Sequence, residues 1–92
     1  MRVNYRESFL KDMKAIPRGT LRGELICALQ DLKDADSIEE LLAYKTVKKL
    51  EGFSRHYRLR VEKYRLGFKH EDDGSLTLLH FKNRDEIYSK FP

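Results

Sequence analysis

The residues of this 92-residue chain best suited to chemistry are Arg58, Arg60 and Arg65. They are set into two runs of strict alternation, with Tyr57, Leu59 and Val61 between the first two and Tyr64, Leu66 and Phe68 around the third. Side chains on a strand alternate faces, so Tyr57–Leu66 predicts a hairpin turning at Glu62-Lys63, apolar on one side and cationic on the other. Guanidinium offers a rigid fork of donors that matches a phosphate group and keeps its proton at any physiological pH. Such a face can bind an anion and stabilise developing negative charge, but it is poorly suited to abstracting a proton. An arginine-bearing strand face is also often simply solvated and paired with neighbouring acids. Here only Glu62, Glu71 and the Asp72-Asp73 pair are near in sequence to neutralise it.

More cations lie on either side. Lys45, Lys48 and Lys49 precede the hairpin and read either as a patch for nucleic acid or as an ordinary basic loop. Lys82 and Arg84 follow it, and Tyr88 falls one helical turn after Arg84, on the same helix face. Tyr88 could equally pack with Phe91. His80 and His56 are candidate proton carriers by residue type, but His80 sits in an apolar run with Leu76 and Leu78, which favours a structural role. Cys27, between Ile26 and Ala28, reads as a small packing residue. No His, Cys, Asp or Glu grouping has metal-ligand spacing and there is no Gly-rich phosphate loop, so neither a metal nor another cofactor is expected.

The elements that must position these residues follow from the rest of the chain. The net charge of +4 is spread evenly between the two halves, so an anion site must come from local arrangement. One cysteine excludes an intrachain disulfide, and no apolar run reaches transmembrane length. A cytoplasmic protein without membrane association is the expectation, folded as a single domain over residues 1–92. Val3 and Tyr5 alternate in a first strand over Arg2–Arg6. Phe9, Leu10, Met13 and Ile16 then take helical spacing up to Pro17, with a turn at Arg18-Gly19. Thr20 is placed to cap a second helix whose apolar stripe is Leu21, Leu25, Ala28, Leu29 and Leu32. Ser37 with Glu40 forms a capping-box signature for a short helix over Ile38–Leu42. Tyr44–Lys49 reads as a basic approach segment, and Leu50–Phe53 as a turn into the hairpin strands His56–Glu62 and Tyr64–Glu71. After a turn at Asp72–Ser75 comes a third strand, Leu76–Phe81, with Leu76 and Leu78 on one face and Thr77, Leu79 and Phe81 on the other; it should be central. Lys82–Arg84 leaves that strand, Asp85–Phe91 is a terminal helix and Pro92 closes it. The fold class is α+β in two layers, with helices on one face of a three-stranded antiparallel meander and the arginines on the opposite face.

Several stretches together carry a family resemblance: Leu50-Glu51-Gly52-Phe53, Tyr57–Val61, Tyr64–Phe68, Asp72-Asp73-Gly74 and His80–Tyr88. In order and spacing they resemble the RelE branch of the RelE/ParE toxin superfamily of type II toxin–antitoxin systems. The resemblance implies a metal-independent endoribonuclease that cuts mRNA on the ribosome, by attack of a ribose 2′-OH on the adjacent phosphate. It assigns the cations of the first meander strand to Arg58 and Arg60, and the phosphate arginine of the second strand to Arg65. The general acid falls on Lys82, or on Arg84 two residues on, and the tyrosine at the cut falls on Tyr88. It also implies a cognate antitoxin whose C-terminal segment folds on the toxin. The best-studied branch has lysine as the base where this chain has Arg60, which leaves the base unassigned among His80, His56, Glu62 and Lys82. Two alternatives stay open: a ParE-like inhibitor of DNA gyrase, and a catalytically weakened RNA-binding member.

Overall fold

A computed structural model of the chain describes every residue except Arg18 and Pro92. The turn expected at Arg18 and the closing role of Pro92 therefore lie outside the described residues. The elements run β1 (Val3–Tyr5), α1 (Glu7–Ala15), α2 (Thr20–Asp34), α3 (Ile38–Leu42), β2 (Val47–Lys49), β3 (His56–Val61), β4 (Tyr64–His70), β5 (Leu76–Asn83) and α4 (Arg84–Lys90). They form an α+β fold around a five-stranded sheet in the order β1-β5-β4-β3-β2. β1 pairs parallel to β5, and the other three pairings are antiparallel.

The helical stripe behaves as its spacing requires. Leu25, Ala28, Leu29 and Leu32 of α2 are buried with Phe9 of α1 against Tyr57, Leu59, Val61, Leu66 and Phe68 of the sheet. Fully burying a leucine or phenylalanine contributes about 1.5–3 kcal/mol over leaving it exposed. Ser37 caps α3, accepting from the Glu40 N–H at 3.2 Å, while the Glu40 carboxylate accepts from Asp36 N–H, one residue earlier than a reciprocal box requires. Thr20 is the first helical residue rather than a cap. Gly19 precedes it at φ 125°, a conformation open to glycine, and no side chain caps that end.

The hairpin of β3 and β4 is in the expected register, with Arg60 opposite Arg65 and Val61 opposite Tyr64. Glu62 makes the tight junction at φ 54°. Three features of the sheet differ from expectation. The basic approach segment contributes a strand, β2, whose Lys48 pairs with Arg58, so the antiparallel meander has four strands rather than three. β5 is central and buried on both faces, as expected, but it bulges at Leu79: Phe68 pairs with Leu78 and Gly67 with His80. One extra residue shifts the alternation, so Phe81 joins Leu76 and Leu78 in the main core instead of sharing a face with Leu79. Leu79 instead packs with Ile87 and Phe91 in a second, smaller cluster, which places α4 on the sheet face opposite α1 and α2. The helices thus do not all lie on one side.

Candidate active site

α4 begins where β5 ends. Asn83 caps it, accepting from the Glu86 N–H at 3.1 Å and donating back to the Glu86 carboxylate at 3.1 Å. The Arg84 N–H donates to the Lys63 carbonyl at 2.8 Å, which fastens the helix start to the β3–β4 turn. At the far end Phe91 lies flat on Gly67. A Cβ there would stand 2.7 Å from the ring, so only glycine allows this approach. With both ends tied, Arg84 and Tyr88 are held over the cationic face of the sheet.

Lys45, Thr46, Lys48, Arg58, Arg60, Arg65, Arg84 and Tyr88 line one cleft of 240 Å³. Arg58 Nη1 donates to the Tyr88 hydroxyl at 2.7 Å, and its guanidinium carbon lies 5.5 Å from the tyrosine ring centroid. Arg65 donates to the carbonyls of Glu62 at 3.0 Å and Tyr64 at 2.9 Å, which steadies its side chain without neutralising it. Among the described residues, no carboxylate lies within ion-pair distance of Arg58, Arg60, Arg65 or Arg84. Three of the acids near in sequence are engaged elsewhere: Glu71 with Lys69 at 3.5 Å, Asp72 with Arg55 at 3.1 Å and Asp73 with Arg2 at 2.6 Å. The arginine face is therefore not neutralised by its neighbours.

The accumulated charge acts on the groups inside it. The Arg65 guanidinium is held below an arginine's ordinary value, first by burial and then by Arg84, Arg58 and Arg60, with Tyr88 opposing. The Tyr88 phenol is lowered first by the hydrogen bond from Arg58, with burial opposing and Arg84 adding to the effect. The Tyr88 shift, and the part of the Arg65 shift that comes from the neighbouring arginines, say that the cleft favours a negative charge. A second opening of 490 Å³ shares Arg60, Arg65 and Arg84 and is rimmed by Glu62 and Asp85. The larger groove of 920 Å³ between α2 and β3 is more acidic: it shares Arg60 but sets Glu24, Asp31 and Glu62 around Ala28, Leu59 and Val61. Glu24 there is raised by desolvation and by its contact with Glu62. That groove suits an anion poorly.

Two expected site residues stand apart. Lys82 is turned to Asp12 of α1, 2.9 Å from its carboxylate, and the same carboxylate accepts from the Phe81 N–H at 2.9 Å and meets His80 at 3.2 Å. Burial pushes Asp12 up, but these donors outweigh it and hold it below the ordinary carboxylate range. His80 is thus structural, as its apolar neighbours suggested. Lys49 pairs with Tyr57, on the helix side of the sheet, and lines a separate surface with Leu50–Ser54. His56 lies beyond the cleft lining, 5.7 Å from Phe91. Thr46 and Asp12 were not singled out from the sequence. Asp12 lies 68 residues from His80, and no local pattern links them.

Among the described residues no helix is long and apolar enough to cross a membrane, and no cluster of three or more His, Cys, Asp or Glu is placed to hold a metal ion. No protein-family profile matches the chain. Toxin RelE3 of Methanocaldococcus jannaschii is 29% identical over 92 residues, which is all of both chains. A RelB-RelE antitoxin-toxin complex from Methanococcus jannaschii contains a chain that superposes at TM-score 0.76 with 28% identity, covering 97% of this chain and 99% of that one. A RelE-RelB complex from Pyrococcus horikoshii shares the fold at TM-score 0.70, with 24% identity over 90% of this chain and 93% of that one. Along nearly its whole length the chain is thus similar in sequence to a RelE toxin and in fold to chains of RelB-RelE antitoxin-toxin complexes.

Proposed function

We propose that the chain is an endoribonuclease that arrests translation by cutting mRNA, and that cationic side chains carry the charge of the reacting phosphate. The observation that supports this most directly is the convergence of Arg58, Arg60, Arg65 and Arg84 with Tyr88 in one cleft whose lining contains no carboxylate. Guanidinium groups crowded without counter-ions gain most when a dianionic phosphorane forms between them, so the cleft favours the transition state over the bound phosphodiester. In the reaction the ribose 2′-oxygen bonds to the adjacent phosphorus and the bond to the 5′-oxygen breaks. The products are a 2′,3′-cyclic phosphate and a free 5′-OH.

The 2′-OH proton needs an acceptor, and Arg60 cannot serve. Tyr88 is the lining side chain whose proton affinity Arg58 and Arg84 lower, and its oxygen already accepts a hydrogen bond from Arg58. In this reading Tyr88 as phenolate takes the 2′-OH proton, Arg58, Arg60 and Arg65 hold the non-bridging oxygens, and Arg84 stabilises the departing 5′-oxygen, which takes a proton from water; the hydroxide so formed removes the proton from Tyr88 and restores the phenolate. Lys82, tied to Asp12, lies outside this set. Lys45 and Lys48 extend the positive surface along the RNA backbone. Lys49 is left out of this surface because it faces the other way.

A cognate antitoxin completes the reading, since the similar solved chains come from RelB-RelE and RelE-RelB complexes. An acidic segment of such a partner would neutralise the unpaired arginines. The test is primer-extension mapping of a reporter message after induction, with and without ribosomes assembled on it. New 5′ ends that appear with the wild-type chain and vanish with an Arg65→Ala, Tyr88→Phe double variant are expected. Equal growth arrest by both proteins, or gyrase-dependent DNA damage with intact message, would overturn the reading.

A further inference from the structure

The loop between β2 and β3 presents an aromatic surface that the cleavage reading leaves unused. Phe53 is half exposed. Its ring meets His56 edge-on, with centroids 6.4 Å apart and planes at 71°, and His56 in turn lies 5.7 Å from Phe91. Phe91 covers Gly67, so this row lies on the same sheet face as α4 and Arg58. The loop beneath is cross-braced. The Leu50 N–H donates to the His56 carbonyl at 2.9 Å, and the Leu50 side chain packs on the Leu79, Ile87 and Phe91 cluster. His56 Nδ1 lies 2.7 Å from the Ser54 carbonyl oxygen. Arg55, at φ 62°, is fixed by Asp72 at 3.1 Å and donates to the His70 carbonyl at 3.2 Å. An exposed ring on a loop held this firmly loses little freedom when something stacks on it.

The charge around the ring points to the occupant. In register, Lys48 lies opposite Arg58, and Lys69, which is paired with Glu71 at 3.5 Å, lies opposite His56. His56 is two residues from Arg58, about 6.6 Å along a strand, which is comparable to the step between neighbouring phosphates of an extended single strand. A π-surface on the same sheet face as the arginine cleft, linked to it through His56 on the strand that carries Arg58, fits an unpaired nucleotide: the backbone follows the charges and the base stacks on the ring. We propose that Phe53, backed by His56, is a base-stacking subsite for a nucleotide of single-stranded RNA next to those held at Arg58 and Tyr88. The proposal rests on the RNA reading above. Every base has a π-face, so the subsite adds grip and length preference rather than sequence choice.

The test uses the full chain and a short single-stranded 2′-O-methyl RNA, which cannot react, with 2-aminopurine placed at successive positions. In the wild type, fluorescence is expected to be quenched most at one position outside the cleft. Phe53→Ala should remove that quenching and weaken binding by about 5- to 150-fold, the span for losing one aromatic–base stack, and Phe53→Tyr should restore both. An abasic residue at the quenched position should make wild type and Phe53→Ala bind alike. Unchanged binding by Phe53→Ala, or an equal loss with the abasic RNA, would overturn the subsite while wild-type cleavage stands. Failure of the wild-type chain to bind any RNA would overturn the cleavage reading and the subsite together.

Discussion

In the proposed reaction, Tyr88 is the residue on which the chemistry turns. Its oxygen accepts from Arg58 at 2.7 Å, and both Arg58 and Arg84 lower its proton affinity. A base works deprotonated, so lowering the phenol brings the active form to a lower pH than free tyrosine would allow. Single-turnover cleavage is expected to rise with pH and level off below the ordinary phenol value of 10.0. Tyr88→Phe should abolish that rise and cost about 10²- to 10⁴-fold, the usual span for a general base. Arg65→Ala should cost about 10²- to 10³-fold in the same assay, as for the loss of one transition-state donor, with a smaller loss in binding of uncut RNA. Arg60→Lys provides a contrast. If Tyr88 carries the proton the rate should change little, whereas a large gain would reassign the base to that position. The sequence made Arg60 legible as a misfit for a base, but the alternatives it offered were His80, His56, Glu62 and Lys82. None of these lines the cleft, because side-chain direction at a bulged strand end cannot be read from alternation.

Two contacts between elements hold the site together. Phe91 on Gly67 fixes the end of α4, and Asp12 of α1 ties down the end of β5. Gly67→Ala would drive a methyl group into the Phe91 ring at a cost of about 1–3 kcal/mol, typical of overpacking. Hydrogen exchange should then show faster amides across Arg84–Lys90 with the main core still protected, and cleavage should fall because Tyr88 leaves Arg58. Asp12→Asn removes the charge that Lys82 and His80 share. A loss of about 1–3 kcal/mol at neutral pH is expected, because the amide keeps one acceptor oxygen where these donors used two, read as a lower Tm. The pH dependence follows from the sign of the shift. Asp12 is depressed in the folded chain, so its contribution is present above the unfolded value near 3.8 and is lost as pH falls through the lower folded value. The wild type should therefore lose stability in that acid window more steeply than Asp12→Asn. The terminal helix was legible, expected at Asp85–Phe91 and found at Arg84–Lys90, but its Asn83 cap was not singled out. β2 was not legible, since three residues, two of them lysines, carry too little pattern to distinguish an edge strand from a loop.

Over the whole molecule, charge is arranged by side rather than by net value. The net charge is only +4, yet one face carries the cleft arginines without partners, and the groove between α2 and β3 carries Glu24, Asp31 and Glu62. RNA binding by a face of this kind should weaken linearly with salt on a double-logarithmic plot. The slope should correspond to several phosphates, and Lys48→Ala should reduce it by about one contact, by the rule of about 0.7 per phosphate for single strands. Anisotropy titrations of the non-cleavable RNA across salt concentrations check this, and a slope near zero would mean that the face does not follow the backbone.

By itself the sequence determined the alternation that makes β3 and β4 amphipathic, the helical stripe that must cover their apolar side, the short capped helix α3, and the resemblance that linked the arginines to phosphate chemistry. These are local properties, set by periods of two and 3.6 residues and by capping side chains. Only the tertiary structure decided which cations share a cleft. It brought Arg84 and Tyr88 over the hairpin, turned Lys82 to Asp12 and Lys49 to the far side of the sheet, and sent the nearby acids to other partners. Those outcomes depend on a bulge at Leu79, on a ring seated on Gly67 and on a carboxylate distant in sequence. They are packing and pairing choices between distant segments, which no local period records.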